Sequence, residues 1–217
     1  MRVYHFVCKR FGLENLDQRR LKVARIAELN DPFEWMARAK DKLERAALRE
    51  MKELQNVKSG LLCFSKTWDS PVQWSHYADR HRGLCLAFEI PDALLTEVNY
   101  RKSPLRFERR RFLADGSFAQ EFSNLLVSTK YHDWQYESEV RVFVKLDPNA
   151  MIDGLYFIDF SNDLRLVEVI VGAESSMSRQ TVLAALGDAS GEVKVRKARL
   201  AFNSFRIVEQ RNRLAWA

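Results

Sequence analysis

The spacing of apolar residues changes several times along this chain, and each change predicts an element. Arg2–Cys8 alternates, with Val3, His5 and Val7 on one face and Tyr4, Phe6 and Cys8 on the other, the period of a strand. Leu13–Arg20 reads as a short helix and Leu21–Ile26 as a weaker strand. Asp31, Pro32 and Glu34 sit where a cap, a first helical residue and a capping-box partner belong. They predict a long helix from Pro32 to about Val57, with Met36, Ala39, Leu43, Ala47, Met51 and Leu54 as its buried stripe. Lys40–Glu44, Asp41–Arg45 and Arg49–Glu53 would pair on its wet side. Leu61–Ser65 and Gly83–Ile90 are apolar runs bounded by turn residues and predict central buried strands.

The second half is mostly strand-like. Glu97–Tyr100 predicts a short strand and Phe118–Ser128 a helix with Phe118, Phe122, Leu125 and Leu126 inward. Leu155–Phe160, Leu166–Val171, Glu192–Arg196 and Phe205–Val208 predict strands, and Met177–Leu186 a helix capped by Ser176. No repeat or interdomain linker interrupts the pattern. The expectation is one α+β domain over residues 1–217, with a mixed, mainly antiparallel sheet core and peripheral helices.

Two stretches carry polar groups where apolar ones are ordinary. Ser70–Gly83, SPVQWSHYADRHRG, has Ser70 as cap, Pro71 at the first helical position, Gln73 as capping-box partner and Gly83 as the left-handed end. Trp74, Tyr77 and His81 then share one face, which the spacing makes either a wall of a site or an aromatic core face. Lys130–Phe143, KYHDWQYESEVRVF, alternates from Tyr136 onward. That puts Glu137, Glu139 and Arg141 on one strand face, with the two carboxylates about 7 Å apart. Their repulsion raises at least one pKa, as acid–base or ribose-binding chemistry requires, while Arg141 can offset it. A salt-bridged edge strand would look the same.

Composition narrows the class. The 217 residues are 47% hydrophobic and 29% charged, a globular balance. No run approaches a membrane span, and the opening MRVYHFVCKRF does not read as a secretory signal. Cys8, Cys63 and Cys85 have no metal-like spacing and read as free thiols of a reducing cytoplasm. Of the net charge of +6, most lies in Arg101–Arg111, RKSPLRFERRR, with six basic residues and one acid. Such a segment attracts the phosphates of a nucleotide or a nucleic acid.

Four segments in order, LNDPFE at 29–34, CFS at 63–65, WSHYADRHRG at 74–83 and WQYESEVR at 134–141, resemble a large, mostly bacterial domain-of-unknown-function family. More distantly, His5 (or Arg2), Ser65 or Tyr77, and Glu137-Ser138-Glu139 resemble the ADP-ribosyltransferase superfamily. That resemblance implies NAD as substrate. It places His5 on the adenosine ribose, Tyr77 or Trp74 on nicotinamide, and Glu139 on the nicotinamide ribose and its oxocarbenium-like transition state. Catalytic candidates are therefore Glu139, Glu137 and Tyr77. Cofactor-binding candidates are His5, Ser65, Trp74, His81 and Arg141, with no metal ligand. CFSKT departs from the Ser-Thr-Ser pattern of the arginine-specific branch, which leaves the middle role open. The residues also allow a phosphodiesterase or nuclease using His76, His81, His132 and the glutamates, or a non-catalytic nucleotide-binding module.

Overall fold

The centre of the fold is a strand with no polar side until its last residue. The computed structural model describes residues 1–212 and 216. In chain order the first half holds β1 (Arg2–Val7), α1 (Lys9–Asp17), β2 (Arg20–Arg25), β3 (Ala37–Arg38), α2 (Lys42–Lys58), β4 (Ser59–Ser65), α3 (Pro71–Tyr77) and β5 (Leu84–Glu89). Then come β6 (Thr96–Glu97), β7 (Asn99–Arg101), β8 (Leu105–Arg106), α4 (Arg109–Ala114), α5 (Gly116–Val127) and β9 (Thr129–Tyr131). The last part holds β10 (Glu139–Lys145), β11 (Tyr156–Asp159), β12 (Arg165–Val171), α6 (Arg179–Leu186), β13 (Lys194–Leu200) and β14 (Ile207–Glu209). Among the described residues no helix is long and apolar enough to cross a membrane.

Ten strands form one sheet with the path β11-β2-β4-β1-β5-β12-β13-β14; β10 joins it beside β4, and β6 pairs with β10. All these pairs are antiparallel except β12 with β13. The α+β class with a mainly antiparallel core is therefore as expected. On β5, Leu84, Leu86 and Phe88 enter the main core, whereas Cys85 enters a second cluster with Trp74 and Ile170. Burial on both faces explains the continuous apolar run. Gly83 precedes β5 because an added Cβ would lie 2.2 Å from the Val7 carbonyl oxygen. It does not serve as the left-handed end of α3. That turn is made by Asp79, Arg80 and His81, with φ of 46°, 52° and 67°.

The predicted helix over 32–57 is the largest correction. Asp31 caps only a turn, accepting from the Phe33 backbone at 2.9 Å, and the chain leaves it at Trp35 with φ 61°. The true cap is Asp41, whose Oδ1 accepts from the Glu44 backbone at 2.8 Å. Glu44 and Leu48 are the buried residues of α2, while Met36, Leu43 and Leu54 are exposed. Burial of Glu34 and Trp35 decides this: a helix through residues 32–41 would compete with their placement in the interior. The segment instead runs into β3, which pairs in parallel with β8. Trp35 and Ala37 join Leu48, Leu61, Phe107 and Phe122 in a third cluster. Two smaller corrections concern ends. Helix α6 is capped by Ser178, not Ser176, and the stretch 136–143 is strand only from Glu139.

Candidate functional site

Strands β1 and β4 are neighbours in the sheet, yet only Tyr4 and Ser65 pair between them. Further along the same edge, β4 pairs with β2 through Leu61 and Gly60. Between these contacts the edge of β4 is open. His5 bridges part of the gap, its Nδ1 3.1 Å from the Cys63 carbonyl oxygen, so the neutral ring donates there and leaves Nε2 free. Burial lowers the His5 pKa, and the Cys63 carbonyl only partly offsets this. A cavity of about 130 Å³ lies at the gap. Its walls come from β1 and β4, from Gln73 and Tyr77 on α3, and from Asn30, Glu34, Lys130, Glu137 and Glu139.

The floor is a buried charge cluster. Arg141 donates twice to Glu34, at 3.1 and 2.7 Å, and twice to Glu139, at 2.7 and 3.3 Å. Lys130 donates to Glu137 and, at 3.0 Å, to Glu139, and lies 3.6 Å from Glu34. Three carboxylates thus face two cations, all nearly solvent-free. Burial opposes every charge here. For Lys130, burial lowers the pKa but the three glutamates outweigh it and raise it. For Glu139, burial raises the pKa, yet Arg141 and then Lys130 bring it down to about 2. For Glu137, burial dominates and the pKa is raised, with Lys130 and Tyr77 partly opposing. Of Glu137 and Glu139, Glu137 is the one less stabilised as an anion.

Glu137 is held from several directions. The Tyr77 hydroxyl donates to its Oε1 and receives Asn30 Nδ2 at 2.6 Å. Its backbone carbonyl accepts Ser65 Oγ at 2.7 Å and Gln73 Nε2 at 2.8 Å. Ser138 follows at φ 45°, a left-handed residue between the turn ending at Glu137 and the start of β10. Such backbone costs about 1 kcal/mol outside glycine and persists only where surrounding contacts fix it. That kink, and not strand alternation, brings Glu137 and Glu139 to the same lysine.

The sequence candidates therefore divide. Glu137, Glu139, Tyr77, His5 and Ser65 all line the cavity. Ser65 does so with its hydroxyl tied to Glu137 and to Gln73. Gln73 bonds across to residues 65, 136 and 137, so it is not the capping-box partner, although Ser70 caps as expected. Trp74 is fully buried against Phe6 and donates to the Trp68 carbonyl at 2.6 Å, so it does not face a ligand. His81 lies past α3, stacked on Trp74 with ring centroids 6.4 Å apart, and is not on the cavity wall. His81 leaves the Tyr77 face because α3 ends at Tyr77 and the left-handed turn redirects the chain. Arg141 is enclosed beneath Glu139 and Glu34 and does not reach the cavity.

Glu34 and Lys130 were missed as site residues. Glu34 carried a ready local explanation as a capping residue, and a single buried lysine has no sequence signature. Among the described residues no group of three or more His, Cys, Asp and Glu side chains could hold a metal ion. His76 stacks on Tyr136 and His132 neighbours Asp133, both off the cavity wall. Comparison with protein-family models, with curated proteins and with solved structures finds no match to this chain.

Proposed function

We propose that the cavity binds the nicotinamide–ribose end of NAD and breaks its glycosidic bond, passing ADP-ribose to water or to an acceptor hydroxyl or amine. One observation carries this reading: Glu137, Tyr77 and His5 converge on a cavity in the split between β1 and β4. It agrees with the distant resemblance of His5, Tyr77 and Glu137-Ser138-Glu139 to the ADP-ribosyltransferase superfamily.

The roles follow from remaining bonding capacity. Glu139 receives three donors from Arg141 and Lys130, two of them on Oε2, and its charge is held by that pair, which makes it a positioning residue. Glu137 receives one donor on each oxygen, and each oxygen keeps a free lone pair. It is the carboxylate able to accept a ribose hydroxyl and to face the positive charge that develops at the anomeric carbon. The C–N bond breaks with its electron pair leaving on nicotinamide, which departs neutral. The acceptor's oxygen or nitrogen then bonds to that carbon, and its proton passes to Glu137. A raised pKa makes Glu137 a stronger base than an ordinary carboxylate. The Tyr77 ring gives a flat wall for nicotinamide, and His5 offers Nε2 to a ribose hydroxyl.

Chromatographic detection of nicotinamide after incubating the purified protein with NAD tests the proposal. Release supports it. NAD binding without release would favour the non-catalytic module, and no binding would remove NAD altogether.

A further inference from the structure

A second concave surface lies on the other side of Lys130. It measures about 390 Å³, and its walls include Phe33, Met36, Arg101, Lys102, Lys130 and Tyr131. Phe33 and Tyr131 are 61% and 46% exposed, large aromatic faces left open to solvent. The chain bearing them is held in place: β3 pairs with β8, and β7 pairs with β9.

The charges around this surface lack partners. Arg101 and Lys102 lie on its wall; Arg38 and Arg106, each two residues beyond a wall residue (Met36 and Pro104), face each other in register across the β3–β8 pair, both exposed. Like charges directly opposed in a sheet are unfavourable. Among the described residues none of Arg38, Arg101, Lys102 and Arg106 has a carboxylate partner. Cations without carboxylate partners beside open aromatic faces complement a ligand that offers both phosphates and flat rings, although Asp133 bonds the Tyr131 hydroxyl.

We propose that this face binds single-stranded nucleic acid, with a base on Phe33 or Tyr131 and its phosphodiesters on Arg101, Lys102, Arg38 and Arg106. A single strand fits because its unpaired bases can stack on aromatic side chains, whereas a duplex hides them. Binding here stands independently of NAD chemistry.

Fluorescence anisotropy with a labelled oligodeoxyuridylate of about ten nucleotides tests it, beside an oligouridylate and a duplex of equal length. The single strands should bind at least about tenfold more tightly than the duplex, and whichever of the two binds better identifies the sugar. The double change Arg101→Gln/Lys102→Gln should weaken binding and reduce the log–log salt slope by about 1.4. Tyr131→Leu should weaken binding about tenfold with the slope unchanged. Arg38→Gln/Arg106→Gln should raise the melting temperature while weakening binding, which no loss of folding can mimic. Equal affinity for the duplex, or an unchanged salt slope in the Arg101/Lys102 variant, would overturn the proposal. Nicotinamide release without strand binding would also overturn it while leaving the cavity's chemistry standing; strand binding without release would do the reverse.

Discussion

Arg141 and Glu34, 107 residues apart in the sequence, meet through two hydrogen bonds of 2.7 and 3.1 Å where neither side chain reaches solvent. The contact ties the 29–34 segment to β10 and fixes the floor on which Glu139 and Lys130 rest. Glu34→Gln would leave Arg141 buried with one carboxylate where it now has two. A loss of about 1 kcal/mol is expected, for weakened hydrogen bonds and not for an uncompensated charge, because two carboxylates still face the two cations. It should appear as a lower urea midpoint with an unchanged slope.

The pH dependence of stability should carry the mark of Glu139. Its folded pKa is about 2 against an ordinary value of 4.5, because Arg141 and Lys130 outweigh the effect of burial. A depressed carboxyl pKa stabilises the fold above the unfolded value, and that contribution fades as pH falls toward 2. The difference amounts to about 3 kcal/mol. Glu139→Gln should therefore be less stable than wild type at neutral pH, and the gap should close between pH 4.5 and 2. Denaturant titrations at several pH values measure this. A constant gap would show that the stabilisation does not come from the Glu139 charge.

Tyr77 and Glu137 give a sharper test of the site. Burial raises the Glu137 pKa, and the Tyr77 hydroxyl is among the groups that hold it down. Tyr77→Phe keeps the ring and removes that donor. The acid limb of the pH–rate profile for nicotinamide release should then move to higher pH. An acid limb that stays in place would mean that Glu137 is not the titrating base.

Local pattern revealed the sheet but not the charge cluster. Leu61–Ser65 and Leu84–Ile90 were legible because burial on both faces leaves a continuous apolar run between turn residues. The start of α2 was not, since Asp31-Pro32 offers a stronger local cap than the Asp41-x-x-Glu44 that is used. His81 joins the face of Tyr77 only if α3 continues, and it stops at Tyr77. The pairing of Glu137 with Glu139 was legible from two residues' spacing, although a left-handed Ser138 produces it. Lys130 and Glu34 reach the same site from distant segments, a relation that only the tertiary fold creates.

The central claim is that Glu137 is the carboxylate that acts on NAD. Glu137→Gln keeps its size and can still receive Tyr77 or Lys130. Removing a buried carboxyl with a raised pKa should leave the melting temperature at neutral pH equal to wild type or higher. Nicotinamide release per folded molecule, measured on the same samples used for melting, is the direct test. The expected result is turnover by wild type and a loss of about 100-fold or more in the folded Glu137→Gln protein. Undiminished turnover in that variant, or no nicotinamide release by wild type, would contradict the claim.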